Sequence, residues 1–295
     1  MTPKDALAVL EKIPSSAPQA SIALHLSNAA MRQHYLRAGR IPPQEEFQNW
    51  MFEVDSAVWK QHLSGILALT GTRTPKAYIE ERLAPSVALY TMPGQKKDKA
   101  LIMAFTGNSC RLMLPTSVFL QSLPINAVDV ALFWDPNREA FTKGLRGLGD
   151  NIGSVISEAA RILEVDRYSK AVSIGTSSGA TCAILAALAL ELDSNLSVGA
   201  IGGGDHPKWI EVGVPSMIQE YIAKASGIPM INLAFSKGHS RDTACADSIA
   251  RQVPANLWPI TMPTALATHN PLYPLLMQGE LAEFLALRLL NSVSA

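Results

Sequence analysis

The chain contains few cysteines, and they follow no pattern. Among its 295 residues only Cys110, Cys182 and Cys245 are cysteine. An odd number of widely separated thiols does not supply a disulfide framework, and the absence of a CxxC pair argues against a structural zinc site. We therefore expect no disulfides and no structural zinc site in this protein.

The sequence also lacks an excess of one charge and a long apolar run. Lysine and arginine number 25, aspartate and glutamate also number 25, and the formal net charge is zero. Nucleic acids and anionic lipids attract basic surfaces, so neither is an expected partner. The longest apolar stretch, roughly 180–190, is shorter than the ~20 residues of a membrane-spanning helix. The first residues include Asp5 and Glu11 and do not read as a secretory signal, so we expect a cytoplasmic location.

Residues 1–84 are predicted to form an N-terminal helical extension. Their apolar residues follow helical spacing, as with Phe47, Met51, Val54 and Val58, which fall three or four residues apart. Three roles are open for these helices: they extend the core, they cover the substrate as a lid, or they form the surface of a homodimer.

Residues 85–295 follow another pattern, in which short apolar runs alternate with helical segments. Fully apolar strands separated by helices are typical of a parallel sheet that is covered on both faces. This predicts an α/β domain with a mostly parallel central sheet flanked by helices. The turn-like segment TMPGQKKDK follows the first run and predicts a hairpin, which would make the first strand antiparallel.

A serine stands between two glycines where a predicted strand becomes a helix. The apolar run 171–174 leads into Gly175-Thr176-Ser177-Ser178-Gly179, and a helix rich in alanine and leucine follows. In a sharp strand-to-helix turn, Ser177 would present its hydroxyl at the carboxyl end of the sheet, and the glycines would remove colliding side chains. The alternative is a loop that only caps a helix. The context favours Ser177 as a nucleophile.

On this motif and its context, residues 86–290 resemble the α/β-hydrolase superfamily. The resemblance implies an α/β-hydrolase fold with an eight-stranded type of sheet. It also implies acyl-transfer chemistry through a Ser–His–Asp triad, arranged along the chain in the order nucleophile, acid, histidine.

His269 is predicted to be the base that activates the serine. Only His206, His239 and His269 follow Ser177 in the chain. His269 stands in ALATHNPLYPLL, after the last predicted strand and before the final helix, where the family carries its base. A loop histidine packed under the C-terminal helix is the alternative.

The acid is less well defined by the sequence, and two aspartates compete. Asp242 follows the strand IPMINLAF at a loop-to-helix boundary, where the family places its acid, although many relatives carry it a few residues earlier. Asp242 would also suit the N-cap of the following helix. Asp205 is the alternative acid, since some family members carry the residue one strand sooner. We favour Asp242.

Two backbone amides are needed to bind the oxyanion of an acyl-transfer intermediate. One is predicted to belong to Ser178, the residue after the nucleophile. The other is expected in the loop that follows ALIMAF, where Thr106 replaces the usual histidine. Gly107 and Asn108 are both candidates for this donor, and we choose Asn108.

These residues predict a serine hydrolase that acts on an ester or thioester of a small or medium acyl group. Water completes deacylation in such a reaction, so no cofactor is required. An acyltransferase with the same triad, or a non-catalytic binding protein of this fold, is the alternative. Asp205, His206 and His239 could also suggest a metal, but their spacing gives that idea no support.

Overall fold

The computed structural model describes residues 78–290, apart from 109, 115, 124–127, 202–206 and 262–268. Residues 1–77, which make up most of the predicted N-terminal helical extension with its possible lid or dimer role, lie outside the described residues. Asp205 and His206 also lie outside them.

Within the described residues, eight strands form one sheet in the order β1-β2-β4-β3-β5-β6-β7-β8. The strands are β1 (Ile79–Ala84), β2 (Val87–Thr91), β3 (Ala100–Phe105), β4 (Val128–Phe133), β5 (Lys170–Thr176), β6 (Ser194–Val198), β7 (Met230–Ser236) and β8 (Ala255–Ile260). From β4 through β8 every neighbouring pair is parallel. The predicted fold class, an α/β-hydrolase fold with a mostly parallel sheet, is therefore confirmed.

The start of the sheet differs from the prediction in two ways. Strand β2 is antiparallel as expected, but it pairs with β1 and β4. The predicted hairpin between β2 and β3 is therefore wrong, because β4 lies between these two strands. Strand β1 also lies inside the range 1–84 that was assigned to the helical extension. Its sequence, IEERLA, is mostly exposed and has no apolar alternation that would have revealed it.

Eight helices are described: α1 (Thr116–Ser122), α2 (Ile152–Leu163), α3 (Ala180–Ala189), α4 (Pro207–Glu211), α5 (Val214–Lys224), α6 (Ser240–Ala250), α7 (Leu272–Met277) and α8 (Leu281–Arg288). Among these residues, none of the helices has the length and apolarity that crossing a membrane requires. The segment PLLMQGELAEFLALRLL, whose sequence predicts one closing helix, instead forms parts of two separate helices, α7 and α8. Gly279, with φ +77°, lies between them in the left-handed conformation that ends many helices.

The helices cover both faces of the sheet, so the central strands are buried on both sides. In β3 the residues Leu101, Met103 and Phe105 face one core together with α2, α3 and α6. Ile102 and Ala104 face the other core, which α1, α7 and α8 close. This alternation explains why the strand reads as a continuous apolar run. The carboxyl ends of the parallel strands are left for the loops that carry the candidate site.

Candidate functional site

The segment around Ser177 forms a sharp turn between β5 and α3. Strand β5 ends at Thr176, a single 3-10 turn covers Ser177–Gly179, and α3 begins at Ala180. Ser177 has φ +52°, a left-handed conformation that is uncommon for a residue with a side chain. Such backbone strain clusters at functional sites. The turn leaves Ser177 partly exposed while Ser178 and Gly179 are buried.

The two flanking glycines allow this turn because backbone atoms pack against them. A Cβ added to Gly175 would lie 2.4 Å from the carbonyl oxygen of Gly179. A Cβ added to Gly179 would lie 2.4 Å from the carbonyl oxygens of both Phe105 and Thr106, at the end of β3. Real side chains do not approach backbone atoms this closely, so both positions require glycine.

His269 contacts Ser177 and Asp242 through its two ring nitrogens. Its Nε2 lies 2.9 Å from the Ser177 hydroxyl, and its Nδ1 lies 2.8 Å from Asp242 Oδ1. The structure thus brings together the three residues that were singled out in the sequence. A carboxylate on Nδ1 favours the tautomer with the proton on Nδ1, which leaves Nε2 free to accept a proton from the serine hydroxyl.

Asp242 reaches His269 from within a helix. It is the third residue of α6, its side chain is fully buried, and its amide donates to His239 Nδ1 over 3.3 Å, so that His239 and not Asp242 is the N-cap. The Oδ2 atom of Asp242 has no hydrogen-bond partner among the described residues. Asp242 is therefore a buried carboxylate whose described hydrogen-bond and ion-pair partners are both histidines.

The loop after β3 packs directly against the turn at Ser177. A Cβ on Gly107 would lie 3.0 Å from the Ser177 Cβ. The Gly107 amide donates to the carbonyl of Arg111 over 3.2 Å, and is therefore occupied. Asn108 is exposed, and its side-chain Oδ1 accepts a 2.7 Å hydrogen bond from the Ser178 hydroxyl. The structure thus joins Asn108 and Ser178, the two residues predicted to supply backbone donors.

Two further residues that sequence reasoning missed position the histidine. Gly199 follows β6 with φ +51°, and a Cβ there would lie 2.9 Å from the backbone oxygen of His269 and 3.3 Å from its ring. Asn270 donates from its side chain to the carbonyl of Met113 over 2.7 Å, which ties the histidine segment to the loop after β3. The position of Gly199 directly after a buried strand was the only sign of its role in the sequence. Nothing in the sequence indicated that Asn270 would bond to Met113.

Two cysteines near the site are unsuited to act as nucleophiles. Burial and the neighbouring Asp135 carboxylate raise the pKa of the Cys110 thiol to about 11, although Arg138 partly opposes this. Burial also raises the pKa of Cys182 in α3 far above its usual range. Since the thiolate is the reactive form, both side chains stay protonated at neutral pH.

Ligand atoms of His239, Asp242 and His269 all lie within 4.8 Å of one another. Two imidazoles and a carboxylate are also a donor set for a transition metal. The hydrogen bond between His269 and Asp242 already accounts for the closeness of these two residues.

Comparison with protein-family models and with curated proteins gives no match. Among solved structures, the chain is similar to an esterase from Pyrobaculum calidifontis, with 10% identity, a TM-score of 0.44, and coverage of 75% of this chain and 87% of that one. It is also similar to Est1E from Butyrivibrio proteoclasticus, with 10% identity, a TM-score of 0.45, and coverage of 71% and 98%. For S-formylglutathione hydrolase from Staphylococcus aureus the identity is 13%, the TM-score 0.43, and the coverage 69% and 94%. These likenesses are too distant to carry a function over to this chain.

Proposed function

We propose that this chain is a serine hydrolase that cleaves a carboxylic ester or thioester through an acyl-enzyme intermediate. The observation that carries the proposal is the hydrogen-bonded series from the Ser177 hydroxyl through His269 to Asp242, with distances of 2.9 and 2.8 Å. A serine hydroxyl is a weak nucleophile on its own, and an adjacent base that a buried carboxylate orients is the arrangement that activates it.

In the proposed reaction, Ser177 Oγ attacks the acyl carbon while its proton passes to His269 Nε2. Asp242 stabilises the resulting imidazolium through Nδ1–H. When the tetrahedral intermediate collapses, the imidazolium gives the proton to the departing alcohol or thiol, and Ser177 remains acylated. Water then attacks the acyl-enzyme with His269 as base, which releases the acid and restores the serine. The cycle consumes one water and needs no cofactor.

We assign the oxyanion to the backbone amides of Ser178 and Asn108. The Ser178 amide lies in the first turn behind Ser177, where amides have no partner within the helix. Of the two candidates in the loop after β3, the Gly107 amide already donates to Arg111, which favours Asn108. The side-chain hydrogen bond between Asn108 and Ser178 would fix the positions of these two residues, and hence of their amides, relative to each other. One such donor typically lowers the barrier by ~3 kcal/mol.

The substrate in this proposal is a small molecule with an acyl group of small or medium size. The cytoplasmic location and the homodimer through the N-terminal helices stay predictions from the sequence. An acyltransferase would use the same residues with an alcohol or amine in place of water. Product analysis with and without candidate acceptors separates these two outcomes.

Hydrolysis of p-nitrophenyl esters and acyl-CoA thioesters, from acetyl to octanoyl, tests the proposal. We expect Ser177→Ala to lower the turnover of every substrate that the wild type cleaves, by about 10⁴-fold or more. Ser169→Ala is the matched control, because this exposed hydroxyl lies before the other end of β5 and donates to the Lys99 carbonyl. Undiminished turnover in Ser177→Ala would contradict the proposal, as would a wild type that cleaves none of the substrates.

A further inference from the structure

Three potential metal ligands meet beside the candidate nucleophile. Asp242 Oδ1 lies 2.8 Å from His269 Nδ1 and 2.9 Å from His239 Nδ1. One ligand atom from each of the three residues lies within 4.8 Å of the other two. The proposed mechanism accounts for the contact between His269 and Asp242. It assigns no role to His239, whose ring centroid lies 5.9 Å from that of His269.

The spacing of these atoms is close to that of three ligands of one tetrahedral ion. Zinc binds histidine nitrogen and carboxylate oxygen at about 2.0–2.2 Å, which places neighbouring ligand atoms of a tetrahedron about 3.3 Å apart. The contacts of 2.8 and 2.9 Å would each have to open by only about 0.5 Å to accommodate the ion. The cluster therefore has the donor set and the approximate spacing of a three-ligand zinc site whose fourth position is open to water.

The charge of the cluster and its access to solvent also suit a divalent cation. The Asp242 side chain is fully buried, and its Oδ2 atom has no hydrogen-bond partner among the described residues. Buried carboxylates are stabilised by pairing with a cation or by coordinating a metal. The side chains of His239 and His269 are 28% and 37% exposed, so an ion can reach the cluster from solvent.

We propose that His239, Asp242 and His269 form an inhibitory binding site for Zn²⁺. Binding of the ion depends on these three side chains alone. Its effect on turnover rests on the proposed function, because two of the three ligands belong to the triad of that reaction.

Zinc would inactivate the catalytic base by occupying one nitrogen of its ring. A metal ion on Nδ1 of a neutral imidazole leaves the ring proton on the other nitrogen, so the proton of His269 moves from Nδ1 to Nε2. Nε2 is the atom that lies 2.9 Å from the Ser177 hydroxyl, and with a proton it can no longer accept one from the serine. No covalent bond to carbon changes in this step. Removal of the ion should therefore restore the base.

His239 is the ligand that separates metal binding from catalysis, because the proposed catalytic cycle does not use it. In the free protein its Nδ1 accepts a hydrogen bond from the Asp242 amide over 3.3 Å and caps α6. Zinc would exchange this long hydrogen bond for a bond to the metal. Asparagine at position 239 keeps a capping oxygen but lacks the imidazole.

The first experiment follows hydrolysis of the best p-nitrophenyl ester over a series of ZnCl₂ concentrations, with each protein compared with its own zinc-free rate. The wild type should lose activity as zinc rises and recover it in excess EDTA. In His239→Asn the half-inhibitory concentration should rise at least about 100-fold, since loss of a group that only supports a metal ligand already costs 10- to 100-fold in affinity. Mg²⁺ is the matched control ion, because it prefers oxygen ligands and should not inhibit. A wild type that zinc does not inhibit, or equal inhibition of His239→Asn, overturns the inference.

A second experiment measures binding without any turnover. Co²⁺ can replace Zn²⁺ in tetrahedral sites and absorbs visible light strongly there. We expect it to give such an absorption band in Ser177→Ala, which keeps all three ligands, with saturation at one ion per chain and displacement by zinc. The band should be absent when His239→Asn is added. No band in Ser177→Ala, or an equal band in the double variant, overturns the inference. A band in a protein that hydrolyses no ester or thioester would contradict the proposed function alone.

Discussion

The nucleophile and the acid of the candidate site are held by different means. Ser177 is held by the backbone, because the glycines on either side allow a left-handed residue to sit between β5 and α3 in contact with backbone atoms. Asp242 lies in an ordinary helical turn, and its carboxylate is held by side chains, His239 and His269. Changes at the two glycines of the turn should therefore act on folding, and changes at the acid should act on chemistry.

Among the changes outside the nucleophile itself, the largest effect is expected from Asp242→Asn. The amide keeps the shape of the side chain but no longer favours the Nδ1–H tautomer of His269, so we expect kcat to fall by about 10⁴-fold with little change in thermal stability. The measurement is kcat on the best ester together with a melting curve.

Two other aspartates complete this test of the acid. Asp247→Asn is the control, because Asp247 is exposed on the same helix, and its kcat should stay at the wild-type level. Asp205→Asn tests the rival acid. A large loss in Asp205→Asn combined with an active Asp242→Asn would overturn the assignment of Asp242.

A substitution at a glycine of the Ser177 turn should lower the stability of the protein. In Gly175→Ala the new Cβ would lie 2.4 Å from the Gly179 carbonyl oxygen and 2.6 Å from the Ala180 Cα. Since backbone atoms cannot move aside, we expect the free energy of unfolding to fall by more than about 4 kcal/mol, measured by urea denaturation. Gly227→Ala is the matched control, as nothing lies within 4 Å of its added Cβ. Equal stability of the two variants would contradict the steric account.

Gly199→Ala should give an effect of intermediate size, and it should lower the activity more than the stability. The added Cβ would meet the His269 backbone oxygen at 2.9 Å, so the imidazole would have to shift. Displacement by about 1 Å can cost a factor of 10² in rate, and we expect kcat to fall 10- to 100-fold. Gly213→Ala shares the positive φ but has open space around it, so it isolates the effect of backbone strain. A similar loss of activity in both variants would mean that contact with His269 is not the cause.

The smallest effect is expected from Asn270→Ala. This change removes the 2.7 Å hydrogen bond to the Met113 carbonyl and the longer one, 3.3 Å, that Asn270 Oδ1 accepts from the Tyr273 amide, and each bond of this kind contributes about 1 kcal/mol. We expect a small drop in the free energy of unfolding and at most a few-fold loss of kcat. A change that exceeds that of Gly199→Ala would show that Asn270 does more than make these two hydrogen bonds.

The contrast between the turn that holds Ser177 and the side chains that hold Asp242 also explains what the sequence could predict. A turn held by backbone atoms needs particular residues at fixed spacing. Gly175, Ser177 and Gly179 therefore form a motif that can be recognised from a single sequence. The covered parallel sheet was equally visible, because burial on both faces requires uninterrupted apolar strands such as β3.

Features that depend on contacts between distant segments left no such signal. The sequence offered both Asp242 and Asp205 because either could lie near His269 once folded. The position of Asp242 in the first turn of α6, and its contact with His239, depend on how β7 and α6 are placed. Strand β1 was missed for a related reason, since it pairs along only one edge and its residues are largely exposed.

The most direct test of the central claim is to locate the covalent adduct after treatment with a fluorophosphonate. Peptide mass spectrometry should find the phosphonate on the peptide that contains Ser177, with fragment ions that assign it to Ser177 and not to Ser178. Labelling should disappear in Ser177→Ala and slow by orders of magnitude in His269→Gln. An adduct on another residue, or labelling that survives in Ser177→Ala, would contradict the account.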